Sequence, residues 1–289
     1  MHFVKAKGIL SARNGMNLYR GCQHGCIYCD SRSKCYQMNH LFEDIEVKEN
    51  ALELLEAALK SKRKPCMIGT GVMSDPYTPL ESRLGMTRQA LALIEKYGFG
   101  ATVLTKSHRI LRDLDILRRI NDRSKAVVQM SLTCWDDDLS RLIEPNVSTT
   151  RERVAALKVL QEAGIPTVVW LCPVLPFLTD TPENIRAILD ACADAGVKGI
   201  IQFGMGLTLR EGNREYFYAQ LDRKFPGLKE RYIWDYGIAY ELPSPRERSL
   251  LDIFHSFCEE KGIWHDNDRV FRYLSEFEEK ESQLSFFDI

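Results

Sequence analysis

Three of the chain's nine cysteines fall within eight residues, in the run Gly21-Cys22-Gln23-His24-Gly25-Cys26-Ile27-Tyr28-Cys29-Asp30. The spacing is C-x3-C-x2-C, with glycine before the first cysteine and between the first two. Closely spaced thiolates in a short loop suit a metal centre, because each sulfur must reach one point and glycine lets the backbone fold tightly around it. A structural zinc takes four ligands, and an iron–sulfur cluster usually takes four cysteines. Here only three come together, no second C-x2-C pair follows, and Cys35 is the one close candidate for a fourth. Three protein ligands leave a metal position open, which chemistry needs and a structural staple does not.

Cys22-x3-Cys26-x-Tyr28-Cys29 resembles the C-x3-C-x-aromatic-C motif of radical S-adenosylmethionine (radical SAM) enzymes. The wider run Asn17-Leu18-Tyr19-Arg20-Gly21-Cys22 through Cys29 is similar to the spore-photoproduct-lyase-like branch of that superfamily. The resemblance implies that Cys22, Cys26 and Cys29 hold a [4Fe–4S] cluster whose fourth iron is chelated by the amino and carboxylate groups of SAM. It further implies that reduction, by a partner such as flavodoxin or ferredoxin, breaks a sulfonium C–S bond and releases a 5′-deoxyadenosyl radical. The alternative reading of the same cysteines is a zinc knuckle completed by Cys35 or His24, in a binding protein without catalysis.

The whole chain narrows the setting. Its 289 residues are 45% hydrophobic, enough for one large core. It has no run of eighteen apolar residues, and its first eight residues lack the apolar segment of a secretion signal. Membrane association is therefore not expected. An odd number of cysteines, unpatterned outside the cluster, argues against a disulfide framework and for a reducing cytoplasm. The formal net charge is −1, but residues 252–289 carry −6 and the remainder +5. A mildly basic body is compatible with a polyanionic substrate and does not require one.

The positioning elements follow from periodicity. Strands are expected over residues 14–20, 66–70, 101–106, 126–133, 167–172 and 199–204, alternating with helices over 49–62, 87–97, 109–120 and Thr150–Glu162 and a helix opened by Thr181-Pro182-Glu183. Six strands alternating with helices predict a parallel α/β sheet with right-handed crossovers. The resemblance implies that this sheet is the partial (β/α)6 TIM-type barrel of radical SAM enzymes. Residues 1–240 are expected to form that core domain and 241–289 a C-terminal extension, whose helix Glu247–Lys261 closes the open side.

Such sheets place function at the carboxyl ends of their strands. Ser74-Asp75 ends the second strand, and the resemblance places this pair beside the methionine part of SAM. Asp75 would accept from the α-ammonium group and Ser74 donate to the carboxylate; an ordinary Ser-Asp-Pro turn is the alternative. Lys106 ends the third strand, where a lone ammonium calls for an anionic partner such as the SAM carboxylate, or for solvent. Ser131 and Thr133 resemble the family's ribose-contacting positions, with a simple strand-to-helix turn as the alternative; Tyr28 resembles an adenine contact; and Glu144-Pro145 and Arg153 resemble residues frequent after the fourth strand, with packing and surface pairing as the alternative. Leu171-Cys172-Pro173-Val174-Leu175-Pro176 is expected to wall the adenine.

Cys66, Cys192 and Cys258 sit in apolar contexts and read as packing residues, whereas Cys134 and Cys172 follow strands and are candidate hydrogen-atom donors. Spore photoproduct lyases carry a cysteine three residues before the aspartate of the Ser-Asp pair; here Val72 stands there. Through the family link, nucleic acid or a nucleotide is the substrate class expected first, with a peptide or small metabolite as the alternative. Lastly, Gln283-Leu284-Ser285-Phe286-Phe287 is similar to the short peptide by which bacterial DNA-replication and repair proteins bind the sliding clamp. Packing of its apolar residues back on the barrel competes with docking.

Overall fold

The computed structural model describes residues 1–280; residues 281–289 are outside it, and the expected clamp-docking peptide at 283–287 lies among them. The chain begins with β1 (His2–Val4), β2 (Gly15–Met16), β3 (Tyr19–Arg20) and β4 (Glu46–Lys48). A regular βα succession follows: α1 (Ala51–Ser61), β5 (Met67–Thr70), α2 (Glu81–Leu84), α3 (Met86–Lys96), β6 (Gly100–Thr105), α4 (Leu114–Arg123) and β7 (Ala126–Ser131). It continues with α5 (Asp137–Ile143), α6 (Thr150–Glu162), β8 (Thr167–Trp170), α7 (Pro182–Asp194) and β9 (Gly199–Ile201). Strands β2-β5-β6-β7-β8-β9 lie side by side in that order, all parallel, as a partial (β/α)6 barrel.

The local chemistry explains the regularity. β6 and β7 are buried at every residue, as strands covered on both faces must be. Apolar faces of α1, α3, α4, α6 and α7 share one core with them. The Thr149 side chain and Glu152 form a capping box at the start of α6, and Thr181 caps α7 with Pro182 at its first turn.

Three expectations need correction. The first strand is not continuous. After Met16 the chain leaves the main sheet, and Tyr19–Arg20 pairs with β4 in a separate three-stranded sheet of order β1-β4-β3. Hydrogen bonds from the Lys48 amide to the Leu18 carbonyl and from Lys48 Nζ to the Asn17 carbonyl mark the switch. The helix expected over 109–120 begins instead as a 3-10 turn, His108–Asp113, capped by the Ser107 hydroxyl. The helix Glu247–Lys261 does not close the sheet's edge; it packs on α7 in the outer layer. The edge beside β9 is taken by a bridge from Gly199 to Trp264 and by a helix further along the chain, Asn267–Ser275.

Between β9 and the helix Glu247–Lys261 no element is expected from the sequence, but the chain is well structured there. β10 (Gly206–Thr208), α8 (Asn213–Lys224), α9 (Leu228–Tyr236) and β11 (Glu241–Pro243) come before α10 (Glu247–Lys261) and α11 (Asn267–Ser275). β10 and β11 pair antiparallel, so the boundary expected after residue 240 falls within a ladder. Phe217, Leu221, Tyr232 and Leu242 from this region form a second core with Cys26, Ile27 and Tyr28. The cysteine loop is thus roofed by the C-terminal half. No helix of the described residues is long and apolar enough to cross a membrane.

Candidate functional site

The cysteine loop is fixed mainly through its backbone. Gly21 has φ 87°, and a Cβ there would lie 2.4 Å from the Phe42 carbonyl oxygen, so no side chain fits. The Cys22 amide donates to that carbonyl at 3.2 Å, the Ile27 amide to Ile143 at 2.9 Å, and the Asn146 amide to the His24 carbonyl at 3.1 Å. Ser74 Oγ donates to the Gly21 carbonyl at 2.6 Å. The strand end at Ser74 and the segment after α5 therefore hold the loop from different directions.

Two polar groups carry most of the charge around it. In the first, His24 stands between Cys22 and Asp75, with Nδ1 3.3 Å from Asp75 Oδ2. Asp75 Oδ1 also accepts from the Tyr77 amide at 2.8 Å and Thr105 Oγ1 at 2.7 Å, and Oδ2 from the Lys106 amide at 2.7 Å. Burial alone would depress the His24 pKa, but Cys22 and Asp75 outweigh it and raise it to about 10. Burial works upward on the Cys22 thiol, yet His24 pulls it below its ordinary value. Burial pushes Cys26 well up and Cys29 up to about 11. Cys22 is thus the sulfur with the strongest thiolate character.

In the second group, Glu144 is completely buried between two cations: Arg153 at 2.7 Å, itself completely buried, and Lys106 at 3.0 Å. The Tyr28 hydroxyl donates to the same carboxylate and accepts from Lys106 at 3.0 Å, with Thr133 Oγ1 3.2 Å away. Arg153 also donates to the Ser131 carbonyl at 2.6 Å. Burial would raise the Glu144 pKa, but Arg153 and Lys106 hold it down at about 2. Two cations share one carboxylate, so the group carries one positive charge in excess, and the Lys106 side chain remains 17% exposed.

The expected site residues therefore converge, with altered duties. Asp75 already accepts three protein hydrogen bonds and faces His24 Nδ1 at 3.3 Å, so most of its capacity is spent inside the protein. The Ser74 hydroxyl is spent on Gly21. Thr133 is completely buried and faces Tyr28 rather than an open space, and the Tyr28 ring is buried too. Lys106 finds its anion in Glu144. Cys134 is buried in the second core together with Cys26 and Tyr28, its thiol donating to the Asp136 carbonyl at 3.3 Å. Cys172 is half-buried; burial pushes its thiol up to about 12, the Lys106 ammonium pulling the other way. His24 is the member that sequence reasoning weighed only as a zinc ligand, and nothing in its neighbours foretold the Asp75 contact.

The cysteines suit a multi-iron cluster better than zinc. Around one tetrahedral zinc, bonds of about 2.3 Å put sulfurs about 3.8 Å apart. Among the described residues only His2, His40 and Asp44 bring three potential ligand atoms within 4.8 Å of one another, so at least one pair of the Cys22, Cys26 and Cys29 sulfurs is wider than that. Cys35 is exposed and accepts from Arg210 at 3.5 Å.

The family model described as the radical SAM superfamily matches residues 16–183. An uncharacterised protein of Mycobacterium tuberculosis is 31% identical over 250 residues, covering 84% of this chain and 72% of the relative. An uncharacterised protein of Methanocaldococcus jannaschii is 33% identical over 174 residues, 60% of this chain and 64% of the relative. Among solved structures, a double mutant of spore photoproduct lyase with bound AdoMet and dinucleoside spore photoproduct superposes with TM-score 0.64 at 15% identity. It covers 91% of this chain and 80% of that one. At that identity the likeness is one of fold.

Proposed function

The chain belongs to the radical SAM superfamily, whose members use a [4Fe–4S] cluster and SAM, and from that premise we propose that it abstracts hydrogen from a nucleic acid or nucleotide. The observation that carries the reading is the three-cysteine loop held at the carboxyl ends of parallel strands, beside a buried charge group with one positive charge in excess. Cys22, Cys26 and Cys29 hold the cluster. Lys106, only half satisfied by a carboxylate it shares with Arg153, meets the carboxylate of SAM; the Ser131 hydroxyl, free of the bonds described above, is placed for the sugar. When bound, the cofactor pair supplies a 5′-deoxyadenosyl radical on one-electron reduction by a protein such as flavodoxin or ferredoxin.

The chain's own residues do the rest. Asp75 and His24 keep Cys22 thiolate-like and oriented, and Ser74 fixes the loop's entry. The second core seals the loop's rear from water. Cys172 is the thiol placed to return a hydrogen atom to a substrate. Val72, 70% exposed, stands where spore photoproduct lyases carry their cysteine, so a reaction other than thymine-dimer reversal is proposed. Nine free cysteines suit a reducing cytoplasm.

Anaerobic incubation with SAM and dithionite tests the reading. The expected result is 5′-deoxyadenosine, with its yield raised by single-stranded, duplex or ultraviolet-irradiated oligonucleotides and unaffected by peptides. No 5′-deoxyadenosine from a fully loaded cluster would overturn the radical assignment. A response to peptides alone would overturn the nucleic-acid assignment.

A further inference from the structure

A cavity of about 350 Å³ opens on the rim of the barrel, where the chain emerges from β5 and β6. Tyr77, Thr78 and Glu81 line it from the first of these turns; His108, Arg109 and Arg112 line it from the second. It begins two residues beyond both Asp75 and Lys106, so it neighbours the reaction site without belonging to it.

Its charges are unevenly committed. Arg112 is held by Glu81 at 2.8 Å and by Asp113 at 2.7 Å. The Glu81 carboxylate, 1% exposed, also accepts from the Tyr19 hydroxyl, so its charge is spent inside the protein. His108 Nδ1 meets Ser148 Oγ at 2.8 Å. Among the described residues the Arg109 guanidinium enters no ion pair. Thr78 is completely buried, and its hydroxyl has no hydrogen-bond partner. Its oxygen is closed off from the cavity, so the cavity's polar lining is that of Arg109, Arg112 and His108. The remaining wall, from Leu111 and the Tyr77 ring, is apolar.

We propose that this cavity is a substrate-phosphate subsite, taking the phosphate of a nucleotide or nucleic-acid strand. Arg109 supplies the planar fork that matches a phosphate, beside His108 and Arg112 on the same wall. The apolar wall takes the attached sugar or base, which distinguishes a nucleotide from a bare anion. The inference deepens the nucleic-acid reading above and rests on it.

The test is binding of three probes to the anaerobically reconstituted protein, by calorimetry: inorganic phosphate, thymidine 5′-monophosphate and hexathymidylate, with thymidine as control. The nucleotides should bind well above phosphate and thymidine. R109A should weaken them about tenfold or more, R109K less, since a lysine keeps the charge but loses the fork. Circular dichroism checks that the variants fold. Unchanged binding by R109A, thymidine binding as tightly as its monophosphate, or phosphate alone binding as tightly as the nucleotides would each overturn the subsite. Wild-type 5′-deoxyadenosine formation without nucleotide keeps the two readings apart. If the wild type binds nucleotides and R109A binds them equally, only the subsite falls; if the wild type binds none of them, the nucleic-acid reading falls with it, and if 5′-deoxyadenosine fails to form while they bind, the radical reading falls.

Discussion

The Asp75 group and the Glu144 group do the same mechanical job by opposite means. Asp75 is held by two backbone amides, one hydroxyl and one imidazole, so most of its stabilisation comes from the folded turns at the ends of β5 and β6. Glu144 is held by two buried or half-buried cations and a phenol, all side chains from three distant parts of the chain. A carboxylate satisfied by local amides is as rigid as its turn. One satisfied by long-range cations depends on every partner being present, because a buried charge that loses its counter-charge is expensive. The contrast predicts that the second group is the more fragile, and that the first reports more on the cysteine loop than on global stability.

The largest effect should come from Glu144→Gln. It leaves Lys106 and Arg153 facing each other without an anion, and removal of one partner from a buried pair costs about 3–5 kcal/mol. Urea melts of the variant and wild type measure it; a loss below about 1 kcal/mol would mean that water already screens the pair.

The same group has a sign in pH. Its pKa is lowered from an ordinary 4.5 to about 2, with burial opposing the shift and Arg153 and Lys106 driving it. A depressed carboxyl contributes stability that is fully present above 4.5 and is lost as pH falls towards 2. The wild type should therefore lose urea resistance more steeply than Glu144→Gln between pH 4.5 and pH 2. Parallel curves would contradict the assignment.

Asp75→Asn comes next in size. The new amide nitrogen would face amide donors of Tyr77 or Lys106 and lose the charge that orients His24. The expected cost is about 1–3 kcal/mol, smaller than for Glu144, but with a disproportionate drop in iron and sulfide retained per chain after reconstitution. If iron content held while stability fell as far as in the Glu144 variant, the two groups would not differ in the way proposed.

The comparison also shows what sequence could reveal. The barrel was legible because β6 and β7 are short runs built mostly of apolar residues and because α6 and α7 announce themselves with Thr149 and Thr181 caps. Lys106 was legible as a cation needing an anion; that Glu144 supplies it depends on a contact across 38 residues. The Asp75–His24 contact carries no local signature, since a Ser-Asp-Pro turn and a histidine between glycine-flanked cysteines are each ordinary. The β10–β11 ladder joins three-residue strands more than thirty residues apart, too short for period-two alternation to show. Tyr19–Arg20 read as part of the first strand because its alternation continues; only the pairing with β4 assigns it to another sheet.

The smallest expected effect separates both groups from the one cysteine near the loop that neither touches. Cys35 sits six residues after Cys29, close enough in sequence to complete a four-ligand site. It is exposed, and its sulfur accepts from Arg210 at 3.5 Å. A fourth protein ligand would have to leave that contact and reach the cysteine loop. Cys35→Ala removes the thiol, and at an exposed position the stability change should stay within about 0.5 kcal/mol. Anaerobic reconstitution should then give the same iron and sulfide per chain as the wild type, and the same SAM-induced change in the electron paramagnetic resonance signal of the reduced cluster. Loss of iron in this variant alone would mean that the fourth position is occupied by protein. An open iron would then be unavailable to SAM, and the contrast drawn between the two anchoring groups would concern a structural metal site instead of a reactive one.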